Sequence, residues 1–122
     1  MLITQEYLKQ NKNHIFVFGD NTLRKGLGGA AALRNEPNTY GFITKKYPNM
    51  DDEAFYKPNE YKLVFEKELF LLERAIMNAP NSLWLISKLG SGLANKYKIW
   101  EEVICKELNK LPDRYTNVRL LF

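Results

Sequence analysis

The sequence predicts an α/β fold in which helices cover a mostly parallel or mixed central sheet. Short apolar runs rich in β-branched and aromatic residues alternate with segments of helical spacing, which is the order typical of such sheets. Glycine-rich loops follow two of those runs, and parallel sheets bind ligands where such loops gather, at the carboxyl ends of strands. No internal repeat or linker interrupts the 122 residues. We therefore expect one domain, residues 1–122, built as a three-layer α/β/α sandwich.

The composition is that of a globular protein with a mild basic excess. Eighteen Lys and Arg against 14 Asp and Glu give a net charge of +4, which fits a small anionic ligand as well as nucleic acid. The single cysteine, Cys105, excludes an internal disulfide, and with the lack of a signal-like start it predicts the cytoplasm. No apolar run reaches the roughly 18 residues of a membrane span. We expect no cofactor, and no metal because His14 has no second histidine to pair with.

The first half of the chain contains two predicted strands separated by a glycine loop. Residues 4–10 are predicted to form one short turn of helix, opened by Thr4. The apolar run HIFVFG, residues 14–19, indicates a strand buried on both faces. After the glycine loop, GGAAALRN favours a short helix, and YGFIT, residues 40–44, favours a second strand.

The second half contains the most regular helical pattern. Residues 45–58 carry prolines, Asn and Asp and are expected to form a long loop, whereas residues 59–77 repeat apolar positions every three or four residues. SLWLIS, residues 82–87, indicates another buried strand and is followed by the glycine loop KLGSGLANKY. Residues 98–110 have helical spacing, and NVRLLF ends the chain as a strand. The predicted order is β, loop, α, β, α, β, loop, α, β.

The first glycine loop, GDNTLRKGLGGAAA, occupies residues 19–32. Gly26, Gly28 and Ala31 formally match the dinucleotide fingerprint G-x-G-x-x-A, but seven residues separate Phe18 from Gly26, whereas the true motif turns directly from strand into helix. A Walker-A loop is excluded because no G-K-[ST] follows. Glycines still let backbone N–H groups approach an anion, and a following helix start would add positive charge. The alternative is a surface turn that precedes a glycine-capped helix.

Polar side chains next to the two loops are candidates for contacts with a nucleotide. Asp20 and Asn21 are predicted just past the first strand, placed to bond a ribose or base, although such residues also form local turns. In GSGL, residues 90–93, Ser91 can donate a hydrogen bond to a phosphate, and Tyr97 lies in a loop where it could stack on a base.

Two lysines, Lys45 and Lys46, end the second strand in ITKK. One reading is a solvated strand end. If one of them projects into a cleft shared by the glycine loops, it could neutralise a phosphate or, with a lowered pKa, attack a sugar carbon as a Schiff-base nucleophile.

Longer stretches resemble a known family. YGFITKK, then a long amphipathic helix, then SLWLISKLGSGLANKYKIWEEVI resembles the second half of a macrodomain. The resemblance is nearest to the terminal ADP-ribose protein glycohydrolase branch, in which one strand ends in I-T-K-K and another leads into a G-C-G-L loop before a tryptophan-bearing helix. RKGLGGAAAL is similar to that branch's first-half segment, where a basic or polar residue precedes G-A-G-I-A. The resemblance covers roughly residues 14–106.

By this resemblance the domain is macro-like and binds ADP-ribose, with Gly26 to Ala30 and Gly90 to Leu93 as its two phosphate loops. Lys45 matches the lysine that forms the covalent sugar intermediate in that branch. Two features depart from the pattern. The catalytic aspartate that follows G-C-G-L is replaced here by Ala94. The family's adenine-contacting Gly-Asp pair has no true counterpart, because the Asp of FGDN sits on another strand.

Three functions follow as hypotheses. The favoured one is a binder of ADP-ribose or a related nucleotide diphosphate. The second is an ADP-ribosyl hydrolase with Lys45 as nucleophile and Asp20 in acid–base work, acting on ADP-ribosylated protein or nucleic acid. The third is a small interaction or nucleic-acid-binding protein on the same fold. The expected ligand-binding residues are Asp20, Asn21, Gly26, Gly28, Gly29, Ala30, Leu89, Gly90, Ser91, Gly92, Leu93 and Tyr97.

Overall fold

A computed structural model describes residues 2–122, including the backbone but not the side chain of Ala30. The centre of the fold is a sheet of four parallel strands in the spatial order β2-β1-β3-β4. The strands are β1 (His14–Asn21), β2 (Thr39–Lys45), β3 (Leu83–Ile86) and β4 (Val118–Leu120). The predicted α/β class is therefore confirmed, and the sheet is parallel rather than mixed.

The helices lie between and before the strands. Helix α1 (Gln5–Gln10) begins after Thr4, whose side chain accepts a hydrogen bond from the Tyr7 N–H, as an N-cap does. Helix α2 (Pro58–Asn78) joins β2 to β3. Between β3 and β4, a π-helical turn (Trp100–Ile104) leads into α3 (Cys105–Leu108), and α4 (Leu111–Arg114) follows. Within residues 2–122, no helix is both long and apolar enough to cross a membrane.

Apolar side chains cover both faces of the sheet and define three layers. Alternate residues of a strand point to opposite faces. On one face, Phe16 and Leu85 pack with Leu8 of α1. On the other face, neighbouring strand residues such as Val17 pack with residues of α2 such as Leu72. The expected α/β/α layering is thus present, with α1 forming a thin layer and α2 with α3 forming the thick one.

Three local predictions needed correction. Strand β1 runs two residues further than expected, so that Asp20 and Asn21 end the strand instead of following it, because Asp20 pairs with Ile43 of β2. A bulge between Asp20 and Asn21 then breaks the register. The helix predicted in GGAAALRN is only a one-turn 3-10 helix, Gly29–Ala31, since Gly28 is extended and Gly29 has a positive φ of 53°. The helix predicted over 98–110 is divided into the π-helical turn and α3.

Side chains of α2 cover the outer edge of β2, where the described residues add only an isolated antiparallel bridge between Lys45 and Phe55. The Tyr61 hydroxyl donates to the Ile43 carbonyl at 2.6 Å, and the Ile43 N–H donates to Oε1 of Glu68 at 2.6 Å. Arg24 donates to the Gly41 carbonyl at 2.9 Å. These bonds satisfy backbone groups that an open edge would leave unpaired. The bonds from Tyr61 and Glu68 fix α2 relative to the sheet, and the bond from Arg24 fixes the first loop.

We predict that Tyr61→Phe lowers the free energy of unfolding by about 1 kcal/mol, because the fully buried hydroxyl loses its bond to the strand edge while the ring still fills its site. Urea denaturation followed by circular dichroism measures the change. Tyr47→Phe, at a partly exposed tyrosine, is the control and should leave the midpoint unchanged. Equal midpoints for the two variants would show that the edge does not need this bond.

Candidate functional site

The two glycine loops meet at one edge of the sheet. Strands β1 and β3 are parallel neighbours, so the loops that follow them leave from the same side, next to the end of β2. A cleft of about 630 Å³ opens there. It is lined by Gly19, Asp20, Asn21, Lys25, Gly26, Gly28, Gly29, Ala31, Thr44, Lys45, Pro48, Met50 and by the run Ser87 to Ala94.

The Asp20 carboxylate lies at the base of the cleft, almost fully buried and ion-paired with two arginines. Its Oδ1 accepts from Arg34 at 2.5 Å and its Oδ2 from Arg24 at 3.0 Å, while the Asn21 N–H donates to Oδ1 at 2.8 Å. Burial alone would raise the pKa of Asp20, but the hydrogen bonds from Arg34, Arg24 and the Asn21 N–H outweigh it and hold the pKa below its usual range. Asp20 is therefore an ionised structural anchor in this arrangement.

Arg34 connects that anchor to the first glycine loop. Its Nε donates to the Gly26 carbonyl at 2.9 Å, and its Nη2 donates to the Lys25 carbonyl at 3.1 Å. The Asn21 amide adds a bond to the Lys25 carbonyl at 2.8 Å, and its oxygen accepts the Leu23 N–H at 3.0 Å. Asp20 and Asn21, which the sequence predicts as contacts to a ribose or base, instead hold the first loop in shape.

Gly41 makes room for this network. A Cβ at Gly41 would lie against the Asp20 carboxylate and 3.0 Å from Nη1 of Arg24. Any larger residue at this position of β2 would push the carboxylate away from the arginines. The glycine of YGFIT is therefore part of the network that holds the first loop, although it lies outside the loop.

The glycines of the cleft divide into two kinds. Gly90 has a φ of 75°, and a Cβ there would lie 2.7 Å from Cδ1 of Ile104, so that the fold itself requires glycine. Gly28 and Gly92 lie outside the left-handed region, and a Cβ at either would meet no atom within 4 Å. In the part of the chain that the structure describes, neither of their N–H groups donates to a protein acceptor. The fold does not explain these two glycines.

The cleft is positively charged. Lys25, Lys45 and Lys88 line it, and Asp20 is the acidic residue among the described lining residues. Because Asp20 is neutralised by two arginines, the lysine charges are left without a balancing carboxylate in the lining. An anion entering the cleft would be attracted by all three lysines.

Lys45, rather than Lys46, faces the cleft. Its Nζ donates to the Asn49 carbonyl at 2.8 Å and lies 4.9 Å from the centre of the Phe55 ring. Burial lowers the pKa of Lys45. The neighbouring Lys46 turns away and pairs with Glu60 at 3.2 Å. The amine of Lys45 therefore lies beside the cleft, and that of Lys46 does not.

The other expected residues occupy different places. The Ser91 hydroxyl donates to the Lys88 carbonyl at 2.6 Å, so its hydrogen is used within the loop. Leu89 is buried beneath the loop, whereas Leu93 is exposed at the rim. Tyr97 does not line the cleft, and its hydroxyl bonds to Asp52, which also pairs with Lys96 at 2.8 Å. The Ala30 backbone belongs to the 3-10 turn, and its side chain lies outside what the structure describes.

Sequence reasoning missed Lys25, Lys88 and Arg34. The two lysines had a usable signal, because each belongs to a glycine loop and lies one or two residues before a glycine, in RKG and SKLG. Arg34 had none, since its partner Asp20 is 14 residues away and only the folded loop brings them together.

A second cavity of about 360 Å³ adjoins the cleft and shares Gly29, Ser87 and Lys88 with it. The rest of its lining is mostly apolar and consists of Leu2, Ile3, Phe16, Ala32, Leu33 and Leu121. The combined site therefore has a cationic, glycine-lined part and an apolar part. Within residues 2–122, no three His, Cys, Asp or Glu side chains gather as a metal ion would need.

Comparison with known proteins identifies a family without assigning a function. The model of a family of unknown function, DUF7831, matches residues 1–95, and the chain belongs to that family. The matched residues include both glycine loops and Lys45. No curated protein and no solved structure matches the chain.

We predict that Asp20→Asn lowers the free energy of unfolding at neutral pH by about 3 kcal/mol, because the substitution leaves two arginines without their buried partner. A carboxyl whose pKa is lowered by folding stabilises the protein above its ordinary value of 3.8 and loses that contribution as the pH falls through the folded value. The difference between wild type and variant should therefore shrink below about pH 4.

Urea denaturation from pH 7 to pH 3 measures this dependence. The exposed Asp113→Asn is the matched control and should follow the wild-type curve. A constant difference between Asp20→Asn and wild type across that range would contradict the role of the ionised carboxylate.

Proposed function

We propose that this member of the DUF7831 family binds ADP-ribose or a related nucleotide diphosphate in the cleft between its two glycine loops. The observation that carries the proposal is the convergence of both loops with Lys25, Lys45 and Lys88 around one cavity. A diphosphate needs cations and backbone N–H donors at close range, and this cavity offers both. A surface turn that serves only to connect two elements would not require either.

Gly28 and Gly92 support the diphosphate in particular. Neither the backbone conformation nor the packing of the protein demands glycine at these positions. Glycine is useful there if a ligand approaches the backbone closely, because a side chain would occupy the ligand's space. No helix start adds positive charge to the first loop, since a single 3-10 turn follows it.

The adjoining apolar cavity supports a nucleotide rather than a bare phosphate. A purine ring is flat and largely apolar on its faces, and it suits a space walled by Phe16, Leu33 and Leu121. Gly29, Ser87 and Lys88 belong to both cavities, so a single ligand can extend from one to the other. In this arrangement the phosphates occupy the lysine-lined part and the base occupies the apolar part.

Hydrolysis of an ADP-ribosyl bond is a second candidate, favoured by the position of Lys45. In that reaction the Nζ lone pair would attack the anomeric carbon of the ADP-ribose. The protein or nucleic-acid group that carried the ADP-ribose would leave with the bonding electrons and take a proton from solvent, while the attacking amine would lose a proton to solvent. Ring opening would give a Schiff base, which water would hydrolyse to release the sugar and the free amine. Ala94 and the anchored Asp20 supply no free carboxylate to move these protons, which would cost about a hundredfold in rate.

We predict that ADP-ribose raises the melting temperature of the protein, and that Gly28→Ala and Gly92→Ala each weaken binding by about tenfold or more while leaving the unliganded protein as stable as wild type. Calorimetric titration with ADP-ribose, NAD and ATP measures the affinity. Thermal unfolding measures the stability. Gly90→Ala is a contrasting variant that should lose stability, because its Cβ would clash with Ile104.

Lysine variants distinguish binding of the nucleotide in the cleft from its nonspecific attraction to a basic protein. Lys25→Ala and Lys88→Ala should weaken binding, whereas Lys12→Ala, an exposed lysine outside the cleft, should not. A single-stranded oligonucleotide serves as the test of the third hypothesis. No response to any of the three nucleotides at millimolar concentration would rule out the nucleotide proposal, and binding of the oligonucleotide alone would favour the third hypothesis.

For the hydrolase candidate we predict a covalent adduct at Lys45. Incubation with an ADP-ribosylated substrate and borohydride should reduce the Schiff base to a stable secondary amine, which mass spectrometry locates. Lys46→Ala is the matched control, because Lys46 pairs with Glu60 outside the cleft, and it should still form the adduct. If Lys45→Ala turns over substrate as fast as wild type, the catalytic role of Lys45 is wrong while the binding proposal stands.

A further inference from the structure

Helix α2 is apolar on two opposite faces. Its inner face packs on the sheet through buried residues such as Phe65 and Leu72. On the outer face, Leu63, Phe70 and Met77 are 75%, 59% and 57% exposed. These three residues recur every seven positions, and at about 100° of rotation per residue they form one stripe opposite to the core face. Apolar side chains this exposed, in a row along one helix, are typical of a contact surface.

Charged residues flank the stripe in two rows of opposite sign. The same rotation places Glu66 and Glu73 on one side of the stripe and Lys67 and Arg74 on the other. In the part of the chain that the structure describes, neither Glu66 nor Lys67 forms an ion pair. Glu73 is already used within its own copy, where it pairs with Arg114 at 3.4 Å and accepts a hydrogen bond from the Tyr115 hydroxyl at 2.7 Å, so Glu66 is the unpaired member of the acidic row. Arg74 stacks on Phe70, with 5.7 Å between the guanidinium and the ring centre. The stripe therefore has an acidic and a basic border.

We propose that a second copy of this chain covers the stripe, with the two α2 helices side by side and parallel. A two-fold axis along the helices brings the acidic border of one copy against the basic border of the other. In an antiparallel pair the two-fold axis is perpendicular to the helices. The acidic borders of the two copies would then meet each other, and so would the basic borders. The charge pattern is thus self-complementary in the parallel arrangement alone.

Apolar groups also lie on the two sides of α2, next to the charged borders. On the acidic side, a groove of about 410 Å³ is lined by Phe65, Leu69 and Val103 together with Glu66, Glu102, Glu107 and Lys62. On the basic side lies Leu71, which is 41% exposed. The stripe from Leu63 to Met77 spans about 21 Å, so we expect a dimer of micromolar affinity rather than an obligate one.

Sedimentation of the full chain between about 1 and 200 μM tests the proposal, with dimer expected in the upper part of that range. Phe70→Ser should leave a monomer with unchanged folding, because this side chain is exposed. Leu2→Ser removes an even more exposed apolar residue elsewhere and should leave the dimer intact. A wild-type protein that stays monomeric at the highest concentration overturns the proposal.

Charge reversal tests the orientation. Glu66→Lys and Lys67→Glu each place like charges opposite one another in the parallel pair, and each should weaken the dimer by about fivefold. The double variant restores opposite charges and should recover wild-type affinity. If the single reversals leave the dimer affinity unchanged, or if the double variant does not restore it, the parallel arrangement is wrong.

Disulfide trapping gives an independent reading in a Cys105→Ser background. In the parallel pair each residue of the stripe lies opposite the same residue of the second copy. Leu63→Cys alone and Met77→Cys alone should therefore each crosslink under mild oxidation. In an antiparallel pair centred on Phe70, only a mixture of the two variants would crosslink. The surface lies away from the nucleotide cleft, so these results are independent of whether the proposed ligand binds.

Discussion

The buried carboxylate of Asp20, held between Arg24 and Arg34, connects more parts of this molecule than any other single interaction described above. It ends β1, fixes the carbonyls of the first glycine loop through Arg34, and reaches the edge of β2 through the bond from Arg24 to Gly41. Removing Arg34 or Asp20 would leave the other charge largely buried and without its partner, whereas Arg24 is half exposed, so the pair of Asp20 with Arg34 is the part of the network that depends most on both members. The shape of the cleft depends on it.

That anchor also limits the chemistry of the cleft. A loop held by several bonds before a ligand arrives loses little entropy on binding, which favours recognition of a fixed anion. The same bonds remove Asp20, the carboxylate among the described lining residues, from proton transfer, and Ala94 offers no replacement. Binding and catalysis therefore have different support here: three lysines and two unexplained glycines favour binding, whereas Lys45 would have to react without a carboxylate partner.

Helix α2 connects the fold to the surface. Tyr61 and Glu68 bond to β2, and the same helix carries the stripe of Leu63, Phe70 and Met77 on the opposite side. The apolar spacing that predicts this helix includes only its inner face. Residues 63, 70 and 77 lie outside that periodic set, and their meaning emerges only when their exposure is known, because sequence spacing does not tell which apolar face meets the sheet.

The sequence by itself determined the alternation of strands and helices, the glycine loops after β1 and β3, and Lys45 at the end of β2, because local periodicity and turn chemistry decide these features. It did not determine that GGAAALRN forms a single 3-10 turn, nor that Asp20 belongs to the strand and to the arginines. Those outcomes depend on Gly29, on pairing with Ile43 and on contacts with Arg34 and Gly41. The 3-10 turn is set by the backbone conformations of Gly28 and Gly29, which residue types alone do not fix because glycine is free to adopt several. The place of Asp20 was decided only by the tertiary structure, because its partners are distant in the sequence and the energy of burying a charge depends on the partners that folding brings to it.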